Sequence, residues 1–294
     1  MNEIYGVVPP MTTPFDPADQ LDEDAFRADV RYLVETAKVH GLAVCGSTGE
    51  GHTLTTEETR QLTAWAIEEA AGQVPVITGI ITDSTKSGIE RGKAVADLGV
   101  VALQVTPVHY LFRPDDDAML RHFAALVEGT GLPLMIYNVI PWTYLSPELL
   151  TRIITEVDGV IGVKQSAGDM KLLADLLLML GDGGRIMSAV DALLYPSFAL
   201  GAHGAIAAIL TAVPTLCVQL WDAVKAGDQQ TARALHEKLL PIWNAISDDN
   251  LPANVKYAMQ LQGRPAGAPR APMPATSSKQ QSAIRQALDN ADLL

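Results

Sequence analysis

The chain has little cysteine. Its 294 residues include only two, Cys45 and Cys217, and both lie in apolar stretches. Two thiols are too few for a cysteine metal site, and an apolar setting favours reduced core residues over a disulfide. No other cluster of His, Asp and Glu has the spacing of a metal site. We therefore expect no metal.

Basic residues and long apolar runs are also scarce. The 21 Lys and Arg residues are outnumbered by 34 Asp and Glu, which gives a formal net charge of −13. An acidic surface is repelled by nucleic-acid backbones and anionic lipids, so we expect neither partner. Residues 172–180 are apolar but interrupted by Asp175, too short a run to span a bilayer. The first six residues lack the basic and apolar regions of a signal peptide, which predicts a soluble cytoplasmic protein.

What the sequence does contain is a regular alternation of short apolar runs and helical patterns. Strands that are apolar on both faces, separated by helices, are typical of parallel α/β proteins, and eight such units favour a closed (β/α)8 TIM barrel over an open sheet. We predict this barrel as a catalytic domain over residues 1–226. Residues 227–294 contain no strand pattern and predict a C-terminal helical extension. The apolar runs begin near residues 6, 42, 75, 100, 132, 160, 185 and 205, and the last of them covers 205–208. The first helix is predicted over residues 22–40, and Thr55 or Thr56 and Ser146 are predicted to cap later helices. The three extension helices are predicted over 229–246, 252–261 and 276–294.

The ends of two neighbouring strands carry reactive side chains. Active sites of (β/α)8 barrels lie at the C-terminal ends of the strands. Tyr137 ends the fifth apolar run and Lys164 the sixth, and adjacent strands lie about 4.8 Å apart. A lysine there loses hydration and can serve as an amine nucleophile, with the phenol as proton carrier. The alternative is a lysine that marks the strand end and extends its ammonium into water.

Three motifs carry a family resemblance: residues 46–50 (GSTGE), 137–139 (YNV) and 162–164 (GVK). On these motifs the chain resembles the dihydrodipicolinate synthase / N-acetylneuraminate lyase family of class I, Schiff-base-forming aldolases. The resemblance extends through about residue 226 and more loosely over the tail. It implies a small-molecule 2-oxo acid substrate such as pyruvate, no cofactor, and a homotetramer or dimer.

The resemblance also implies roles for single residues. Lys164 matches the lysine that forms the Schiff base, and Tyr137 matches the tyrosine that shuttles protons. Ser47 and Thr48, which follow Gly46, match the pair that holds the 2-oxo acid carboxylate through hydroxyls and backbone N–H groups. Ile206 resembles the apolar residue of the eighth strand whose carbonyl lies near the lysine. Tyr110 resembles a tyrosine contributed across a subunit interface.

Two departures concern the substrate. Five residues beyond the tyrosine, dihydrodipicolinate synthases carry an arginine that binds the second carboxylate, and here that residue is Trp142. Tryptophan supplies no guanidinium but can stack on the C–H face of a sugar acid. His52 follows the GSTGEG turn, where it can reach the distal end of a substrate. These departures favour an aldolase or a 2-keto-3-deoxy sugar acid dehydratase, with synthase-like condensation of pyruvate and an aldehyde as the alternative.

Other interpretations stay open. A non-catalytic metabolite-binding barrel would bind ligands without forming an imine. A phosphate-binding barrel would need a phosphate site after strands seven and eight, where the sequence offers only a poor candidate. We expect Glu50 to stabilise its turn by bonding backbone donors, and Asp191 to cap a helix.

Overall fold

Eight parallel strands form one sheet in the structure, a computed structural model that describes residues 3–294. Each strand pairs with its neighbours in the order β1-β8-β7-β6-β5-β4-β3-β2. A parallel bridge between Pro10 and Ala43 joins the continuation of β1 to β2 and closes the sheet. The predicted closed (β/α)8 barrel is therefore confirmed. The strands are β1 Gly6–Val7, β2 Leu42–Val44, β3 Val76–Ile80, β4 Ala102–Val105, β5 Leu134–Asn138, β6 Val160–Gln165, β7 Arg185–Ser188 and β8 Gly204–Ala205.

Apolar side chains fill the inside of the barrel. Alternate residues of a strand point to opposite faces, so each strand sends one set inward and packs the other against helices. This inner layer makes the middle of the barrel a packed core rather than a channel. The inward cluster consists of Ile4, Val8, Ala43, Ile77, Ala102, Met135, Met187 and Ile206.

Helices follow the strands at the positions that the sequence predicts. Thr55 and Glu58 form a capping box at the start of α2, and Ser146 caps α5 with Pro147 as its first residue. These side chains satisfy backbone N–H groups that the first helical turn leaves free. The helices are α1 Glu23–Arg31, α2 Thr56–Ala70, α3 Thr85–Lys93, α4 Asp116–Thr130, α5 Pro147–Glu156, α6 Met170–Leu180, α7 Leu194–Ala199, α8 Ile209–Ala212, α9 Pro214–Lys225, α10 Gln229–Ile246, α11 Leu251–Leu261 and α12 Ser278–Asp289.

Two elements differ in type from the prediction, and the last helix, predicted over 276–294, covers only Ser278–Asp289. The helix predicted over residues 22–40 is α-helical only to Arg31 and continues as a π-helical turn, Tyr32–Thr36. The apolar run predicted as a strand over residues 205–208 pairs only through Ala205, and the chain then enters the short helix α8. Ala207 and Ala208, which precede α8, have a high helix propensity and favour this early turn out of the sheet.

The C-terminal helices share a core with the barrel. Leu239 and Ile242 of α10 and Met259 of α11 belong to the same buried cluster as Leu42 and Val44 of β2. The boundary at residue 226 therefore stays a prediction. Both cysteines, Cys45 and Cys217, are free and buried, as expected. Within residues 3–294, no helix combines the length and the apolar content needed to cross a bilayer.

Candidate active site

Lys164 and Tyr137 face each other at the C-terminal ends of β6 and β5. Their Cα atoms are partners in the parallel ladder. Both side chains are buried, and the lysine Nζ lies 3.8 Å from the centroid of the tyrosine ring. An ammonium over an aromatic face is attracted by the quadrupole of the ring. The amine is therefore held inside the barrel beside a phenol, and not extended into water.

A local irregularity in β6 produces this pairing. The β5–β6 ladder shifts register after Leu134, so that Met135 pairs with Gly162 and Ile161 is skipped. Ile161 packs on the inward cluster, Val163 packs on the outer helices, and Lys164 faces inward again. Strict alternation would place Ile161 and Lys164 on opposite faces, so the extra residue is what turns the lysine inward.

The loop after β2 brings Ser47 to the tyrosine. Tyr137 Oη donates a hydrogen bond of 3.2 Å to Ser47 Oγ. The loop is folded back on itself by left-handed backbone conformations at Cys45 (φ 58°) and Glu50 (φ 56°). Gly51 packs so closely that a Cβ there would lie 1.9 Å from the carbonyl oxygen of Cys45, so only glycine fits.

A cleft of about 590 Å³ opens above these residues. From the predicted site it contains Lys164, Tyr137, Ser47, Thr48, Ile206 and His52. The far side of the cleft is built by residues 227–294, here called the C-terminal segment. Sequence analysis missed these residues because they carry no motif and lie far along the chain from the strand ends. They are Trp243, Asp249, Leu251, Pro252 and Met273.

Asp191, which the sequence predicts only as a helix cap, is a further residue of the cleft. It follows β7 and lines the cleft. Its Oδ1 accepts a 2.8 Å hydrogen bond from the backbone N–H of Ile209, so it caps α8 and not the helix that follows it directly. Burial raises the pKa of its carboxyl to about 6, against the opposing effects of the Ile209 bond and the positive charge of Lys164.

Three predicted residues lie outside this cleft. Tyr110 is 69% exposed and Trp142 is 66% exposed on the loops after β4 and β5. Trp142 Nε1 donates a 2.8 Å hydrogen bond to the carbonyl of His109, which fixes one loop to the other. Gly46 lies behind Ser47, where a Cβ would be 3.5 Å from the side-chain nitrogen of Gln104.

Acidic side chains outnumber lysine and arginine in the lining of the cleft. Lys164 is the only lysine or arginine among the described residues that line it, whereas Asp191 and Asp249 both contribute carboxylates. Within residues 3–294, no three His, Cys, Asp or Glu side chains are grouped so as to hold a metal ion. A larger depression of about 1340 Å³ lies at the opposite end of the barrel, around Arg185 and His203, and contains none of the predicted site residues.

A buried lysine beside a tyrosine at the mouth of a (β/α)8 barrel is the arrangement that the resemblance to Schiff-base-forming lyases predicts. The model of the dihydrodipicolinate synthetase family matches residues 3–291 of the chain. The chain belongs to this family.

Individual relatives cover nearly the whole chain. A 4-hydroxy-tetrahydrodipicolinate synthase from Methanopyrus kandleri is 32% identical over 99% of this chain and 98% of its own length. A prophage protein of the dihydrodipicolinic acid synthase family from E. coli K12, solved with pyruvate, has a TM-score of 0.93 at 26% identity, over 99% of both chains. N-acetylneuraminate lyase from Fusobacterium nucleatum has a TM-score of 0.89 at 26% identity, over 97% of this chain and 98% of its own.

Proposed function

We propose that the protein is a lyase that acts on a pyruvate-type 2-oxo acid through an imine on Lys164. The observation that carries this proposal is the enclosed Lys164 amine beside Tyr137, whose hydroxyl bonds Ser47. The pyruvate complex of the E. coli prophage relative supports the substrate class.

The reaction follows from this geometry. The substrate carboxylate binds Ser47 and Thr48, whose hydroxyls and backbone N–H groups donate hydrogen bonds to an anion. The neutral amine of Lys164 adds to the substrate carbonyl, and the resulting carbinolamine loses water to give a protonated imine. Tyr137 delivers the proton that leaves with this water, and Ser47 then relays a proton back to Tyr137. The imine accepts the electron pair released at C3, either by C–C cleavage or by loss of a proton.

Within this class we favour an aldolase or a 2-keto-3-deoxy sugar acid dehydratase. The outer cleft offers the carboxylates of Asp191 and Asp249 and the imidazole of His52, with no lysine or arginine beyond Lys164. A second carboxylate would be repelled there, whereas hydroxyl groups can donate hydrogen bonds to the two aspartates. The second candidate is condensation of pyruvate with an aldehyde, which the name of the Methanopyrus relative favours.

We also propose a cytoplasmic homotetramer or dimer. Tyr110, Leu111, Phe112 and Trp142 form an exposed apolar patch at the loops after β4 and β5. A patch of large apolar side chains on one side of a molecule is typical of a subunit interface. In such an assembly Tyr110 can reach the relay of a neighbouring subunit, the role that the family resemblance implies for it.

Borohydride trapping tests the imine. Pyruvate is incubated with the protein, reduced, and followed by intact mass and peptide mapping. We expect a stable adduct on Lys164 that is lost in Lys164→Ala. An adduct only with a longer 2-keto-3-deoxy acid would select the dehydratase. Binding of both acids without any adduct would contradict the lyase and support a non-catalytic barrel.

A further inference from the structure

The carboxylate of Glu50 is completely buried, and the C-terminal segment holds both of its oxygens. Lys256 Nζ of α11 donates a 2.6 Å hydrogen bond to Oε1, and the backbone N–H of Arg270 donates a 2.8 Å bond to Oε2. Lys256 is 1% exposed and donates a further 2.8 Å bond to the carbonyl of Ala268. The prediction that Glu50 stabilises a turn by bonding backbone donors thus covers only part of its contacts.

A buried ion pair of this kind contributes little net stability. The cost of removing both charges from water offsets most of their attraction, although removing one partner alone is strongly destabilising. What the pair does provide is a fixed distance and direction between two parts of the chain that are 206 residues apart. Its value lies in the position that it imposes on the loop after β2.

That loop is the one that carries the carboxylate-binding residues. Glu50 donates its backbone N–H to the carbonyl of Ser47 at 3.0 Å, and Gly51 donates to the carbonyl of Gly46 at 3.0 Å. A shift of Glu50 therefore moves Ser47, the residue that accepts the hydrogen bond of Tyr137.

The C-terminal segment also fastens the far end of the loop. The guanidinium of Arg270 donates a 3.3 Å bond to the carbonyl of Thr53 and a 2.7 Å bond to Glu58 in the capping box of α2. Three residues later in the same segment, Met273 lines the cleft. The C-terminal segment, which forms the outer side of the cleft, is thus hydrogen-bonded to the loop after β2, which forms its inner side.

We propose that Glu50 is a positioning residue. Through its bonds to Lys256 and Arg270, the C-terminal segment sets the place of Ser47 and Thr48 and thereby the affinity of the site for a 2-oxo acid carboxylate. The kinetic part of this inference rests on the proposed function, whereas its structural part does not.

The chain offers a matched control. Asp29 and Arg264 form a second buried ion pair between barrel and C-terminal segment, also at 2.6 Å, and each is 4% exposed. Arg264 donates its other bonds to the carbonyls of Thr211 and Ala212, away from the loop after β2. Asp29→Asn therefore matches Glu50→Gln in chemistry and burial but leaves the loop contacts intact.

The experiment compares Glu50→Gln, the double variant Glu50→Gln/Lys256→Met and Asp29→Asn with the wild type. The pyruvate concentration that gives half-maximal borohydride adduct is measured for each. We expect a rise of roughly tenfold or more in both Glu50 variants, and less than about twofold in Asp29→Asn, because small displacements of binding groups are costly. In the double variant no unpaired charge is buried, so we expect unfolding stability to recover while pyruvate binding stays weak.

Hydrogen exchange supplies a readout that needs no catalysis. The amides of Glu50 and Gly51 should exchange faster in both Glu50 variants and at the wild-type rate in Asp29→Asn. The inference would be overturned if the double variant recovered both its stability and its affinity for pyruvate. It would also be overturned if Glu50→Gln and Asp29→Asn behaved alike in both readouts. A wild type that forms no adduct with pyruvate or with a longer 2-keto-3-deoxy acid would contradict the proposed function instead, and exchange alone would then decide the positioning role.

Discussion

Tyr137 lies opposite Lys164 because the β5–β6 pairing skips one residue, Ile161. Gly162 is at this irregularity, where a Cβ would come within 2.0 Å of the carbonyl oxygen of Arg185 in β7. Because Gly162 has no side chain, β6 can lie close to β7 while it keeps its shifted pairing with β5. This arrangement directs Lys164 into the barrel.

Gly162→Ala should disturb both stability and imine formation. The new methyl group must push β6 from β7, which we expect to cost about 1–3 kcal/mol of unfolding free energy, as overpacking does. The displaced Lys164 should also form its pyruvate adduct more slowly. Urea denaturation and timed borohydride trapping measure the two effects. Gly168→Ala, which adds a methyl group with no atom within 4 Å, is the stability control. Equal stability of the two variants would contradict the packing argument.

Tyr137→Phe should lower kcat. The substitution removes the hydroxyl that bonds Ser47 Oγ but keeps the ring that packs beside Lys164. Loss of a positioned proton carrier typically costs roughly 10²–10⁴-fold in rate, whereas carboxylate binding and hence KM should change much less. Steady-state kinetics on a cleaved 2-oxo acid separates the two parameters. Tyr195→Phe, whose hydroxyl bonds Gln229 on the outer surface, should behave as wild type.

Asp191 should make stability depend on pH. Burial raises the pKa of its carboxyl to about 6 in the folded protein, above the ordinary value of 3.8. The folded state then binds this proton more tightly than the unfolded state, so its contribution to stability is fully present below pH 3.8 and is lost as pH rises through about 6. Asp191→Asn keeps an acceptor for Ile209 and removes the titration. Relative to this variant, the wild type should lose stability between about pH 4 and pH 7 in chemical denaturation. If the unfolding free energies of the wild type and Asp191→Asn changed in parallel with pH, the Asp191 carboxyl would not titrate in this range.

Phe112→Asp should weaken subunit assembly. Phe112 is 79% exposed in the apolar patch with Leu111 and Tyr110, and a carboxylate there would have to be desolvated in an interface. We expect the variant to sediment as a smaller species than the wild type at the same concentration. Leu294→Asp changes an exposed apolar residue outside the patch and should leave the assembly unchanged. A monomeric wild type would contradict the proposed oligomer.

Local sequence was sufficient to predict the barrel and the elements around it. Eight apolar runs, and caps such as Thr55 and Ser146, place strands and helices within a few residues, because both signals act over one or two turns of chain. The strand ends also indicated Lys164, Tyr137 and Ser47, which the structure brings together. Their roles remain predictions.

Features that depend on distant contacts were not predictable. The register shift at Ile161 depends on how β6 fits between β5 and β7, and no local pattern of β6 records that fit. The cleft wall around Trp243 and Asp249 depends on the docking of α10 and α11 onto the barrel. The sequence likewise could not show that Trp142 lies outside the cleft.

The cleft wall from the C-terminal segment has a consequence for biosynthesis. The nucleophile and its proton carrier have been synthesised once residue 164 is reached, but the opposite wall and the anchors of the Ser47 loop come from Trp243, Lys256, Arg270 and Met273. A nascent chain that has emerged only as far as β8 lacks these residues and also lacks the part of the shared core that α10 and α11 supply. The candidate site is therefore complete only after the C-terminal segment has been synthesised, although its two reactive side chains are made much earlier.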